Sequence, residues 1–209
     1  MHKVLSDKKY NLIIGLVLLW GFAVNTVMCV FCSELFATWN PTAVLIGYFV
    51  VALIGIGINT ISDNPVLSFI GYNLIVLPIG VVLSLSLEDY YASSIAQAFI
   101  MTTIITLLMI ILASIKPTIF NSLGTVLFIC LTGVVVIELV MIFAGIYTPR
   151  WWDWLVALLF CGYIGYDWSE AQQKQKTVDN AIDSAAELYL DIINLFMRLL
   201  GGSDSKKSK

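Results

Sequence analysis

Two aspartates stand in stretches of sequence that are otherwise apolar. Asp167 closes the run WWDWLVALLFCGYIGYD, and Asp191 lies inside AAELYLDIINLFMRLLGG. An ionised carboxylate in hydrocarbon costs roughly 2.5 kcal/mol or more, so each needs a partner, water or a proton. Only 23 residues separate the two, with the polar stretch SEAQQKQKTVDN among them. A helix–turn–helix of that length can set the two side chains side by side. Two close carboxylates cannot both ionise cheaply. They share a proton, and one apparent pKa, belonging to the pair, rises toward neutral. Loss of the shared proton turns attraction into repulsion, which would shift one helix against the other. The same groups are hard oxygen ligands suited to calcium, so protons and calcium would compete for them.

Further acids extend this chemistry. Asp183, Glu187 and Asp191 recur every four residues and share one helical face, which Asn194 and Arg198 continue. Leu188, Leu190, Ile192, Leu195 and Leu199 occupy the other side. Such a stripe belongs against protein or water, and it would draw cations to the cytoplasmic mouth of a cavity. The competing reading is an amphipathic helix lying on the membrane surface. LYLDIINLF is apolar on too many sides for that, and basic residues are few. Glu138, within LTGVVVIELVMIF, either lines a cation path or bonds to a neighbouring helix. Asn25, Asn59, Asn73 and Gln97 read as interhelical glue. Cys29 and Cys32 form a CxxC, but with Cys130 and Cys161 they lie in apolar runs, and His2 is the only histidine. These thiols read as packing residues, not as a metal or redox site.

The elements that position these residues follow from composition. The chain has 209 residues, 59% hydrophobic and 12% charged, with a mean hydropathy of +0.92. A soluble domain would carry about twice that charge, so the solvent is largely lipid. Six runs are long enough to span, at about 20 residues each. They cover Tyr10 to Cys32, Thr42 to Ile61, Val66 to Leu87, Ser93 to Ile115, Ile119 to Ile146 and Trp151 to Trp168. A seventh, Asp183 to Leu200, is shorter and more polar. No small-residue cleavage site follows the first run, which reads as a retained helix. Short, Pro- and Asn-punctuated breaks make neighbouring helices antiparallel. The expectation is an all-α integral membrane protein: one membrane domain over 1–209, with a polar N-terminus (1–9) and a short tail (201–209).

Basic residues favour a cytoplasmic N-terminus, which places Lys3, Lys8, Lys9, Lys116, Lys174 and Lys176 inside and only Arg150 outside. A full crossing of the seventh helix would put Lys206, Lys207 and Lys209 outside, against that rule, and the spacing leaves its crossing open. Trp151, Trp152 and Trp154 suit an interfacial aromatic belt. Pro78, with Gly71 and Gly80 nearby, predicts a kink in the third helix.

The segment ELYLDIINLFMRLLGG closely resembles the C-terminal segment of the transmembrane Bax inhibitor motif family, the Bax inhibitor-1-like proteins, and Tyr166-Asp167 closing the sixth run fits the same family. The resemblance implies a seven-helix bundle, with six helices around the C-terminal one. It implies a pH-sensitive calcium leak that opens on acidification. It also implies that Asp167 and Asp191 match the family's hydrogen-bonded, proton-sensing aspartates and are the residues that would meet calcium. Glu138, Glu187 and Asp183 are candidates to line the cation path. One bacterial branch of the family latches its helix-six aspartate with an arginine on helix two; here helix two, TAVLIGYFVVALIGIGINTI, has no basic residue. No tightly bound cofactor, enzymatic activity or nucleic-acid partner is expected. The expected partners are the lipid bilayer, calcium and protons, and the expected location is a bacterial plasma membrane. Two other functions compete. A non-conducting membrane interaction protein in survival or stress regulation would need no charged path. An intramembrane aspartyl protease would need its second aspartate in GxGD and a PAL motif downstream, whereas this chain has YLDI and no PAL.

Overall fold

The computed structural model describes residues 4–203. Expectations for residues 1–3 and 204–209, including Lys3 and the tail lysines, lie outside the described residues. In chain order the helices are α1 (Asp7–Phe31), α2 (Ser33–Phe36), α3 (Pro41–Ile61), α4 (Pro65–Leu87), α5 (Ala92–Ile115), α6 (Pro117–Asn121), α7 (Gly124–Ala144), α8 (Arg150–Ala171) and α9 (Val178–Gly201). The all-α membrane architecture expected from composition is the one found. Five helices, α1, α3, α4, α5 and α7, are long and apolar enough to cross a bilayer.

Local chemistry sets the helix ends. The Asn40 side chain accepts from the Thr42 and Ala43 N–H groups at 3.0 and 3.1 Å, and Asn64 accepts from Val66 N–H at 2.9 Å. Each Asn thereby satisfies orphan donors at the start of a helix whose first residue is proline. Past the end of α7, Gly145 takes φ 65°. Its N–H bonds Ile142 O, and Ile146 N–H bonds Met141 O at 2.9 Å. This paired closure needs a left-handed residue, which glycine supplies without a steric cost.

Three boundaries differ from the sequence reading. The expected single helix from Ile119 to Ile146 is broken into α6 and α7. Ser122 Oγ takes the Ile119 carbonyl at 2.7 Å, and Leu123 N–H bonds back only three residues, to Phe120 O. A side chain competing for a helical carbonyl favours a turn over continuation. The one-turn α2 was not expected. α9 begins at Val178, five residues before Asp183, because Thr177 starts it: its Oγ1 accepts from Asn180 N–H at 3.2 Å.

At 24 residues α9 is about 36 Å long at 1.5 Å per residue, but it is more polar than the five helices that are long and apolar enough to cross. Arg198, near its C-terminal end, bonds Asp153, near the N-terminal end of α8. A six-residue turn, 172–177, joins the other two ends. The C-terminal part of α9 thus meets the N-terminal end of α8. The buried residues of α9 include Ala185, Ala186, Leu188, Tyr189, Asp191 and Ile192, while Asp183, Glu187, Leu190, Asn194 and Arg198 are half-buried on one face.

Packing divides the chain into two compact units. The first holds α1 to α4 and the N-terminal half of α9. Here Tyr72 donates to Val17 O at 2.9 Å and stands edge-on to Tyr189, centroids 5.6 Å apart. Asn25 donates to the Tyr189 hydroxyl, and Trp20 Nε1 donates to Asn73 Oδ1 at 3.1 Å. Both asparagines thus tie helices together. Gln97, by contrast, is exposed, and neither amide atom of buried Asn59 has a hydrogen-bond partner. α4 continues through Pro78. The second unit holds α5 to α8 and the C-terminal half of α9. Gly162 and Gly165 of α8 let Leu127 and Phe120 lie close against its backbone, while Trp168 Nε1 reaches Ser114 Oγ of α5 at 2.9 Å.

A close helix approach in the first unit is at Gly55 of α3 and Gly71 of α4. A Cβ on Gly55 would stand 2.6 Å from Gly71 O, and one on Gly71 would stand 2.8 Å from Gly55 O. Small residues permit this backbone contact, which is what packs helices when lipid removes the hydrophobic drive. Gly57 of the same helix faces open space. Gly55→Ala should therefore lower the melting temperature in detergent by several degrees, matching an overpacking cost of about 1–3 kcal/mol. Gly57→Ala should leave it unchanged or raise it. Equal losses from the two substitutions would contradict the packing described.

Candidate functional site

The acidic stripe of α9 is longer than Asp183, Glu187 and Asp191. It begins at Asp179, a residue that four-residue spacing places on the same face but that lies before the expected helix start. In the first unit Asp179 is only 4% exposed, and its Oδ1 accepts from Ser68 Oγ of α4 at 2.7 Å. Asp183, one turn on, has a buried Oδ1 with no hydrogen-bond partner and lies in the field of Asp179 and Glu187, opposed by Lys174. Glu187 is more open and holds Lys174 Nζ at 2.7 Å. The turn before α9 is fastened to α1. Leu5 N–H bonds Lys176 O at 2.7 Å, the Lys176 ammonium lies 4.4 Å over the Tyr10 ring, and the Tyr10 hydroxyl reaches Asn180 O and Ser184 Oγ. Burial pulls the Lys176 pKa below the usual lysine value, with Asp7 opposing.

Asp167 and Asp191 both belong to the second unit. Asp191 is buried on α9 at 6% exposure, and Asp167 is half-buried near the C-terminal end of α8. The Tyr163 hydroxyl lies in the electrostatic field of both carboxylates, with Tyr166 and Cys130 also nearby. Tyr163 does not stand out in an apolar run, but it precedes Asp167 by one helical turn, the spacing at which side chains meet.

Glu138 of α7 is bound by three donors' worth of chemistry from two neighbours. Arg198 Nη2 stands 2.7 Å from Glu138 Oε1 and 2.9 Å from Oε2, while Trp152 Nε1 donates to Oε1 at 2.9 Å. The other guanidinium nitrogen, Nη1, holds Asp153 Oδ1 at 3.1 Å. Arg198, Glu138 and Asp153 are 22%, 23% and 17% exposed at their side chains. One residue of α9 thus ties α7 and α8 together through charge-assisted bonds, which the planar fork of arginine suits better than lysine. Asp153 is not among the site residues expected from the sequence. The sign that it matters is Arg198 itself, since a lone arginine in an apolar helix needs acids to meet it.

Among the described residues, no group of three or more His, Cys, Asp or Glu is gathered as a metal site, and the four cysteines are free. A cavity of about 610 Å³ opens in the first unit, lined by Met28, Trp39, Tyr48, Leu77 and Pro78 among others. It carries no charged side chain and stands apart from the acids.

Comparison with known proteins places this geometry. The family model described as inhibitor of apoptosis-promoting Bax1 matches residues 2–202. Protein LIFEGUARD 3 of Arabidopsis thaliana is 33% identical over 144 residues, covering 66% of this chain and 57% of that protein. Protein LIFEGUARD 4 of the same plant is 40% identical over 111 residues, 51% of this chain and 44% of that protein. Protein lifeguard 4 of Mus musculus is 34% identical over 116 residues, 50% and 44% respectively. The chain spans about half the length of these relatives. With a match over nearly its whole length and an all-helical, strongly apolar fold, the chain belongs to the Bax inhibitor-1/LIFEGUARD family of membrane proteins.

Proposed function

We propose that this membrane protein is a pH-sensitive calcium leak, gated by Asp167 and Asp191 acting as one proton-sharing pair. What carries the reading is that Asp167 on α8 and Asp191 on α9 belong to one compact unit, within electrostatic reach of the same Tyr163 hydroxyl, while Asp191 is buried. With one proton between them, the pair makes a charge-assisted O–H···O⁻ bond, roughly twice as strong as a neutral one. That bond ties α9 to α8. Acidification adds the second proton and weakens the tie, so α9 is released as pH falls. Calcium competes with the protons for the same oxygens and would complete its six to eight ligands from backbone carbonyls and water. Asp183 and Glu187 raise the local cation concentration toward the cytoplasmic end of α9. The N-terminus is cytoplasmic in this reading, as the distribution of lysines favours, and the membrane is a bacterial plasma membrane.

The purified chain in liposomes should pass calcium down its gradient, faster at mildly acidic than at neutral pH, as read by an enclosed calcium dye. A leak equal to that of empty liposomes at every pH would remove the channel reading and favour a non-conducting interaction protein.

Asp167→Asn and Asp191→Asn should each abolish most of the pH dependence, because an amide keeps the shape but does not titrate. The double substitution should behave like either single one, since coupled residues are not additive. Single variants that titrate like the parent chain would end the pair mechanism.

A further inference from the structure

The Arg198 cluster contains neither residue of the aspartate pair, and its charges do not balance. Two carboxylates, Glu138 and Asp153, converge on one guanidinium, leaving a net charge of −1 at a place that is partly exposed. Three helices of the second unit meet here, α7 through Glu138, α8 through Asp153 and α9 through Arg198. The Trp152 indole occupies a further lone pair of Glu138. Mutual distances of 2.7 to 3.1 Å leave no room for an ion between acid and guanidinium.

We propose that Arg198 is a tethered counter-cation: it fills the space between Glu138 and Asp153 that a permeating divalent cation would otherwise enter, and so limits cation flux at this end of α9. This rests on the calcium-leak reading and names a regulator within it. The guanidinium is attached to the helix that the aspartate pair releases, so movement of α9 would withdraw it from the two acids. Its charge cannot be lost by deprotonation, since arginine stays protonated throughout the accessible pH range. Arg198 is a positioning residue in this account, and a plain strut would hold the helices without excluding an ion.

The test uses the full chain and two readouts, calcium flux in liposomes and tryptophan-sensitised terbium emission in detergent, with terbium standing in for calcium. Arg198→Met keeps much of the apolar stem and removes the charge. It should raise calcium flux several-fold and give terbium emission above that of the parent chain, excited through neighbouring Trp152. Arg198→Lys should restore flux toward the parent value, and Glu138→Gln added to Arg198→Met should remove the added terbium signal. Arg198→Met protein that melts and elutes like the parent, yet shows parental flux and no terbium emission beyond the parent's, would overturn the proposal. Should that variant not fold, Glu138→Gln alone decides. It leaves the cluster without its net negative charge, so flux should fall several-fold, and unchanged or higher flux would overturn the proposal. If no variant passes calcium, the leak reading fails, while terbium binding to Arg198→Met still decides the role of Arg198.

Discussion

Charge in hydrocarbon must be compensated on the spot, and the rest of this structure is arranged around that constraint. An isolated ionised side chain near the bilayer centre costs several kcal/mol, and a broken buried pair costs as much again. α8 and α9 carry most of the helical acids; the five strongly apolar helices hold only Asp7 at the start of α1 and Glu138 of α7. Along α9 three charged groups meet their own answers. Asp179 takes a hydroxyl from Ser68, Glu187 takes Lys174, and Arg198 takes two acids from two helices. These interactions hold polar α9 in its place among apolar neighbours.

The two halves of α9 differ in kind. Its first half, with α1 to α4, combines hydrogen bonds from Tyr10 and Asn25, close aromatic packing around Tyr189, the Ser68–Asp179 bond and the Lys174–Glu187 ion pair. Its second half, with α5 to α8, is held through ionic contacts at Arg198. Carboxylates that share a site respond to pH, and in the proposed function the proton-driven movement belongs to Asp167 and Asp191 of the second unit.

Much of this was legible in the sequence because lipid imposes strict rules. Length and hydropathy marked the spanning helices to within a few residues, and Asn-Pro pairs at 40–41 and 64–65 marked two helix starts by capping chemistry that the structure contains. The break between α6 and α7 was not legible, since Ser122 could have pointed to lipid as readily as to the Ile119 carbonyl. Arg198 was legible as a residue on the polar face of α9 but not as the partner of Glu138, 60 positions away. Spacing along one helix shows which residues share a face; it does not show which other helix that face meets. Tyr163 was hidden for the same reason, as one aromatic among many until the positions of both aspartates were known.

The central claim is that Asp167 and Asp191 hold one proton between them. Infrared difference spectroscopy of the full chain across a pH titration tests it directly, because a protonated carboxyl absorbs apart from a carboxylate. The account predicts a protonated-carboxyl band that persists toward neutral pH and disappears on replacing either aspartate with asparagine. A band that survives both replacements, or two aspartates that titrate independently in the ordinary carboxylate range, would contradict it.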